Sequence, residues 1–202
     1  FVVIVDSDGN VVAVGEGRAG IIVSFAGTNR YKASSDTVTV SVSRYDTEIS
    51  FYPEDLDLNV GDAEIIVAEL DPFEAGNITF VSSDESVVTV SGKGKVKAVG
   101  DGDAVITVSF SGNQKYKKRE EKVTVKVSLI ETSINLNSED SLDLNVGDAD
   151  IIVAELDPED AGFITFTSSN NSVVTVDSQG NIKAVGEGEA DIILSFAGDY
   201  KY

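Results

Sequence analysis

The stretch SVVTVSGKGKVKAVGDGDAV, residues 86–105, is the strongest indication of the fold because the chain contains it three times in similar form. Residues 1–20 read FVVIVDSDGNVVAVGEGRAG and residues 172–191 read SVVTVDSQGNIKAVGEGEAD, so the copies lie 85 and 86 residues apart. A second stretch, which contains LDLNVGDA and IIVAELDP, begins at Thr47 and again at Thr132. Recurrence at one period indicates tandem copies of a single structural unit.

The repeat period divides the 202 residues into three parts. We predict the back half of a repeat over residues 1–44, a complete repeat over 45–128, and a repeat lacking its last strand over 129–202. These parts are called the N-terminal segment, the central repeat and the C-terminal segment. Since neither end of the chain coincides with a repeat boundary, we expect the sequence to be a window on a longer array.

Each copy alternates apolar and polar residues in short runs that are separated by turn residues, which is the pattern of β-strands. Strands of this length and spacing are typical of a sandwich or barrel. The chain is therefore predicted to be all-β, with seven strands in the central repeat: 48–51 continuing through 56–60, then 64–70, 77–82, 87–90, 95–99, 104–110 and 122–127.

The same alternation predicts which side chains form the core. In the central repeat these are Ile66, Ile78, Phe80, Val88, Val90, Val96, Ala98, Ile106, Val108 and Phe110. Their counterparts in the C-terminal segment are Ile152, Ile164, Phe166, Val174, Val176, Ile182, Ala184, Ile192, Leu194 and Phe196. Glycines at 9, 94 and 180 are predicted to close tight hairpins, where glycine adopts a positive φ at little cost.

The order of these motifs resembles the bacterial Ig-like domain of group 2. The matching elements are an opening TxIxL, then LxLxVGD, a strand ending in DP, ITFxSSxxSVVTVxxxGxxxAVGxGxAxIxxSF and a closing TVTVSVS. Phe80 and Phe166 stand where that family commonly has tryptophan before the SS pair. Residues 24–43, SFAGTNRYKASSDTVTVSVS, are also similar to the tail of group 3 repeats in adhesin-like proteins of methanogenic archaea.

This resemblance covers the whole chain and implies tandem immunoglobulin-like β-sandwich repeats. It also implies an extracellular adhesin-like protein of the cell surface, and its group 3 component implies an archaeal source. Such a fold says little about function by itself, because function depends on individual sites.

The composition limits the classes of partner. Acidic residues number 35 and basic residues 15, which gives a net charge of −20 and argues against nucleic acid, whose binding needs a basic surface. No run of 18 apolar residues is present, so we expect no membrane insertion in this segment. Without any Cys or His, the chain has neither a disulfide nor the residues of a His-dependent catalytic centre.

Three motifs that could carry chemistry are better explained by turns. Residues 15–20 match GxGxxG, but a predicted strand follows where dinucleotide binding needs a helix. Residues 6–10, DSDGN, resemble the start of a calcium loop, yet the equivalent SGKGK carries a lysine. Carboxylate pairs such as Glu54/Asp55 and Glu159/Asp160 are predicted in exposed turns without a cleft. We therefore predict no catalytic, cofactor-binding or metal-binding residue, no cofactor, and no enzyme activity.

Two further features remain open on sequence alone. Asn77 and Asn170 begin N-glycosylation sequons at non-equivalent positions. Tyr31 and Tyr116 recur before the last strand of their copies, and Tyr202 closes the chain near the same point. We interpret them as packing residues that form local hydrogen bonds, in the manner of a tyrosine corner, rather than as ligand-binding aromatics.

Charge is distributed unevenly along the repeats. Residues 45–85 carry 12 acidic and no basic residues, 86–128 carry 4 acidic and 9 basic, and 129–171 carry 10 acidic and no basic. We expect basic loops of the central repeat to meet the Gly15–Arg18 turn. At the second junction we expect acids to meet Asp157, Glu159 and Asp160, which would separate the repeats or attract a bridging calcium ion.

The repetition favours a structural role. We expect a stalk or fibre segment that spaces an adhesive tip from the cell or assembles into a filament, since each repeat adds a fixed length. The expected partners are neighbouring repeats of the same chain and, through strand addition, other copies. The alternative is a glycan- or protein-binding Ig-like module.

Overall fold

A computed structural model describes all 202 residues, and the structure is all-β apart from two short 3-10 turns. The central repeat contains nine strands: β5 Glu48–Tyr52, β6 Asp55–Asn59, β7 Ala63–Ile65, β8 Val67–Asp71, β9 Thr79–Ser82, β10 Val88–Val90, β11 Lys95–Ala98, β12 Gly102–Phe110 and β13 Arg119–Ser128. The all-β prediction is confirmed. The boundaries between the three parts of the chain stay a prediction.

The strands of the central repeat form two facing layers. One layer is a four-stranded sheet in the order β6–β13–β12–β9, in which β6 runs parallel to β13 and the other pairs are antiparallel. The second layer consists of β10–β11–β7 together with the β5–β8 pair. Eighteen buried residues form one core between the layers, and Val88, Val96, Ile106, Val123 and Val125 are among those with no more than 1% exposure.

Two predicted strands are interrupted, and this corrects the count of seven. The first strand ends at Tyr52, and β6 begins three residues later, because Pro53 has no N–H to donate to a ladder. The strand predicted over 64–70 is divided at Ile66, whose N–H donates to the Gly94 carbonyl at 2.9 Å instead of to a strand partner. The first half pairs with β11 and the second half pairs with β5.

The N-terminal segment contains β1 Val3–Val5, β2 Val11–Ala13, β3 Gly17–Phe25 and β4 Ser34–Val42. The C-terminal segment contains β14 Ser133–Leu136, β15 Ala149–Ile151, β16 Ala154–Asp157, β17 Thr165–Ser168, β18 Val174–Val176, β19 Asn181–Ala184 and β20 Ile192–Ser195. Every predicted core residue of the central repeat and of the C-terminal segment is buried or half-buried.

Glycine closes the same hairpin in all three copies, and the positive φ expected there is confirmed. The φ angles are +86° at Gly9, +76° at Gly94 and +80° at Gly180. In the central repeat a Cβ on Gly94 would overlap the carbonyl oxygen of Ile66 and lie 3.3 Å from the Phe80 ring. The hairpin therefore rests directly on the interrupted strand.

Candidate functional site

The loops that follow β3, β12 and β20 share one motif. In this motif Gly is followed by Thr, Asn or Asp, then by one variable residue, and then by a cation and Tyr. The copies are residues 27–31 (GTNRY), 112–116 (GNQKY) and 198–202 (GDYKY). We call them the cation–tyrosine loops. The sequence contains this signal, although the sequence analysis singled out only the tyrosines.

A side-chain oxygen organises each cation–tyrosine loop. Asn113 Oδ1 accepts hydrogen bonds from the backbone N–H groups of Lys115 and Tyr116, both at 2.8 Å. Asp199 Oδ1 and Thr28 Oγ1 accept the equivalent pairs in the other copies. Local acceptors of this kind favour turns because they replace hydrogen bonds that a ladder would supply.

The central cation–tyrosine loop is anchored to its own repeat. Asn113 Nδ2 donates to the carbonyl of Ala75 at 2.8 Å. Tyr116 is buried, and its hydroxyl donates to Glu74 Oε1 at 3.2 Å. Tyr116 therefore packs as predicted, but its hydroxyl bonds to Glu74, 42 residues earlier in the chain, rather than to a local partner. Tyr31 is exposed and Tyr202 is half-buried.

The linker that enters the central repeat pairs with this loop. The Tyr45 N–H donates to the Lys115 carbonyl at 2.9 Å, and the Lys117 N–H donates to the Tyr45 carbonyl at 2.8 Å. The rings of Tyr45 and Tyr116 lie 5.9 Å apart, and Lys115 Nζ lies 5.7 Å and 5.1 Å from their centres. A cation within about 6 Å of a ring centre is attracted by the ring quadrupole.

Lys115 is correspondingly held in its charged form. A hydrogen bond with the Tyr116 side chain is the main cause that raises the pKa of Lys115, and the charges of Tyr116, Tyr45 and Glu74 add to it. The cation is therefore present throughout the physiological pH range.

Arg44 connects the N-terminal segment to the same loop. Its Nε lies 2.9 Å from Glu16 Oε2, and its guanidinium also donates to the Asn113 carbonyl at 3.4 Å. Glu16 belongs to the Gly15–Arg18 turn, so the structure brings this turn to the basic loop of the central repeat. Exposed ion pairs of this kind contribute about 0–1 kcal/mol each, so Arg44 orients the junction more than it stabilises it.

The second junction uses the same backbone contact. The Ile130 N–H donates to the Lys201 carbonyl at 2.9 Å, as Tyr45 does to Lys115. The prediction that acidic residues meet at this junction did not take Lys201 into account. The Nζ of Lys201 lies 4.6 Å from the centre of the Tyr202 ring. A hydrogen bond with Tyr202 is the main cause that raises the pKa of Lys201, and the carboxylate of Asp160 contributes. A lysine thus sits beside one of the acids that were expected to repel.

The group 2 family of bacterial Ig-like domains, identified from sequence, matches residues 47–127 and 131–195. The chain belongs to this family. The two matched segments are consecutive, so the predicted tandem Ig-like β-sandwich repeats are confirmed. Ig-like domains of this family are non-enzymatic in kind, and the family is consistent with a structural segment of a surface protein. The archaeal source stays a prediction.

One curated relative of these Ig-like repeats is an uncharacterized protein of Clostridium acetobutylicum. It is 32% identical over 149 residues, which is 71% of this chain and 15% of the relative. The chain therefore spans less than a sixth of that protein's length.

Two solved structures are similar to the Ig-like repeats at low identity. The S-layer protein rSbsC is 15% identical with a TM-score of 0.37, and the match covers 96% of this chain and 35% of that one. Drosophila N-cadherin EC1-4 is 13% identical with a TM-score of 0.33, covering 91% and 54%. TM-scores this low support no conclusion about function. No helix in the structure is long and apolar enough to cross a membrane.

In the hairpin turns of the Ig-like repeats, aspartate carboxylates accept hydrogen bonds from residues of the same turn. Asp6 Oδ1 accepts from the N–H groups of Asp8 and Asn10, and Asp6 Oδ2 accepts from the Asn10 side chain. That side-chain hydrogen bond is the main cause that lowers the pKa of Asp6. Asp177 makes the same contacts in its own hairpin. The structure brings no group of three or more Asp or Glu side chains together in a geometry that could hold a metal ion.

The two sequons differ in their local structure. Asn77 is exposed beside β9. Asn170 Oδ1 accepts from both the N–H and the hydroxyl of Ser172, and Asp84 makes the same pair of contacts with Ser86 in the central repeat. Asn170 therefore has a structural role that its counterpart performs without a sequon, and glycosylation of either residue stays a prediction.

Replacement of Asn113 by alanine is expected to destabilise the central repeat by about 1–3 kcal/mol, because two backbone N–H groups and the Ala75 carbonyl lose their partner. Asn113→Asp should fall between wild type and alanine, since it keeps the acceptor that Asp199 supplies and loses the donor. Calorimetry of the full chain measures the effect. The exposed neighbour Gln114→Ala is the control, and equal losses for the two alanine variants would contradict the assignment.

Proposed function

We propose that this chain is a segment of a structural stalk of an extracellular, adhesin-like surface protein, which spaces an adhesive tip from the cell. The observation that carries the proposal is that each linker is fixed to the repeat that it enters by the same contact, and that the Arg44 guanidinium crosses the first junction to the Asn113 carbonyl at 3.4 Å. A linker N–H donates to the carbonyl of the cation in the following cation–tyrosine loop, in Tyr45–Lys115 and in Ile130–Lys201. A stalk needs this kind of contact because a free linker would allow the repeats to swing.

The proposal includes no catalytic activity for the segment itself. The family supports the absence of catalytic activity. The carboxylates of Asp6 and Asp177 also support it, because they are engaged in hydrogen bonds within their own turns. The matched segment is 15% of the Clostridium relative, and the proposal assigns the adhesive tip and the cell anchor to regions outside this chain.

Pulsed electron resonance can test the proposal through the distance between two spin labels. The chain has no cysteine, so cysteines introduced at the exposed residues Thr39 and Lys122 provide one label on each side of the first junction. We expect a narrow distance distribution in the wild type. The combined change Arg44→Ala and Tyr45→Gly should broaden it, because the linker loses its side-chain contacts and gains backbone freedom.

The exposed Tyr31 provides a matched control for this experiment. Tyr31→Ala removes a tyrosine of the same motif that makes no contact with a linker, and it should leave the distribution unchanged. A wild-type distribution as broad as that of the Arg44/Tyr45 variant would be incompatible with a spacing role for this junction.

A further inference from the structure

The outward surface of the layer that contains β5, β7, β8 and β11 has an exposed apolar centre. Tyr52 pairs with Val67, and both side chains point away from the core with 76% and 58% exposure. Ile65, two residues before Val67, is 52% exposed and pairs with Lys95. Contiguous apolar side chains on a surface mark an interaction site more often than scattered ones do.

Charge is separated along the strands on either side of this centre. Lys95 and Lys97 lie at one end, where they pair with Ile65 and Ala63. Glu48, Glu69 and Asp71 lie at the other end, where Glu48 pairs with Asp71. All five charged residues are exposed, and none of them takes part in an ion pair within the chain.

We propose that this surface binds a second copy of the same chain, face to face and with the strands antiparallel. In this arrangement the two-fold axis lies in the plane of the interface, between the two apolar centres, and crosses the strands at right angles. Each apolar centre then covers the other, and the lysine end of each copy faces the acidic end of its partner. A two-fold interface is self-complementary in this way because each surface supplies both halves of every contact.

Charge complementarity favours a second copy of this chain as the binding partner. The chain carries a net charge of −20, so two copies repel each other in most orientations. The antiparallel orientation is favoured because it places opposite charges together at both ends. In a parallel orientation the lysine ends would face each other and the acidic ends would face each other, so the two copies would repel. The inference goes beyond the proposed function, since a chain could dimerise through this surface whether or not it spaces a tip.

The C-terminal segment retains the centre of this surface in weaker form. Ile151 and Val153 are 48% and 45% exposed at the positions of Ile65 and Val67. Asn137 stands at the position of Tyr52, and Asn181 stands at that of Lys95. The central repeat is therefore expected to supply most of the contact.

Sedimentation velocity of the full chain at low ionic strength tests the proposal. The expected result is a concentration-dependent shift from 21.3 kDa to twice that mass, which weakens when added salt shortens the Debye length below about 10 Å. The variant Lys95→Glu/Lys97→Glu and the variant Glu69→Lys/Asp71→Lys should each associate at least about tenfold more weakly, because each presents like charges at both ends of its surface.

Mixing the two charge-reversed variants gives the decisive result. One variant is acidic at both ends and the other is basic at both ends, so a one-to-one mixture should form a heterodimer at least as strong as the wild-type dimer. The control is Lys122→Glu/Lys126→Glu, on the outward surface of the opposite sheet. It changes the net charge by the same amount as Lys95→Glu/Lys97→Glu and should leave dimerisation intact.

Three results would overturn the proposal. They are a wild-type chain that stays monomeric at every concentration, a mixture that fails to associate although both variants keep their circular dichroism spectra, and a control variant that loses dimerisation as fully as Lys95→Glu/Lys97→Glu. All substituted residues are exposed, so loss of folding is not expected to obscure the outcome.

Discussion

Replacement of Gly94 by alanine is expected to lower the free energy of unfolding of the central repeat by about 2–3 kcal/mol. A positive φ costs a residue with a Cβ about 1–2 kcal/mol. The new Cβ would also overlap the Ile66 carbonyl, so the hairpin must move away and weaken the hydrogen bond from the Ile66 N–H. A buried hydrogen bond contributes about 1 kcal/mol, which gives the rest of the loss.

Two other glycines separate the causes of this effect. Gly92 lies in the same hairpin without a positive φ and with no atom within 4 Å of its Cβ position, so Gly92→Ala should change stability by less than about 0.5 kcal/mol. Gly9 has a φ of +86° and the same open space, so Gly9→Ala isolates the conformational cost.

Calorimetry of the full chain, with hydrogen exchange of peptides covering residues 86–110, would assign the loss from Gly94→Ala to the central repeat. Equal destabilisation by Gly92→Ala and Gly94→Ala would show that the contact with Ile66 is unimportant.

Truncation of Ile66 to alanine should destabilise the central repeat by about 2–5 kcal/mol, while truncation of Ile65 should cost less than about 1 kcal/mol. Ile66 is 1% exposed inside the core, so its removal leaves a cavity between the two layers. Ile65 is 52% exposed on the outer surface, so its truncation mainly removes groups that are already in contact with water.

The comparison is controlled within the chain because the two residues are adjacent and chemically identical. Urea unfolding at low protein concentration, followed by tyrosine fluorescence, gives both free energies without interference from association. Similar values for the two variants would contradict the placement of Ile66 in the core and of Ile65 outside it.

Alternation of apolar residues was enough to predict the layers of the sandwich. It placed Val88, Val96 and Ile106 in the core, and all three have no exposed surface. It also placed Ile66 rather than Ile65 in the core, but it could not predict that the strand is interrupted at Ile66, because the interruption depends on the Gly94 hairpin, 28 residues away. A contact between segments this far apart in the chain depends on how the layers pack, and no local sequence pattern indicates it.

The junctions were predictable only in part. Charge along the sequence predicted basic loops of the central repeat near the Gly15–Arg18 turn, and Arg44 joins the two by contacting both Glu16 and the Asn113 carbonyl. The role of Lys201 could not be predicted from the excess of acidic residues, because a single lysine in the last loop hardly changes the charge of its segment. The recurring pairs Arg30–Tyr31, Lys115–Tyr116 and Lys201–Tyr202 were the signal that could have identified these loops.

The parallel pairing of β6 with β13 has a mechanical consequence. Five residue pairs, from Thr124–Asp55 to Ser128–Asn59, join a strand near the start of the central repeat to the strand that ends it. Tension applied through the two linkers would pull these strands in opposite directions along their length. The hydrogen bonds between them would then be strained together in shear rather than opened one after another, so the repeat would resist extension until the whole pair yields.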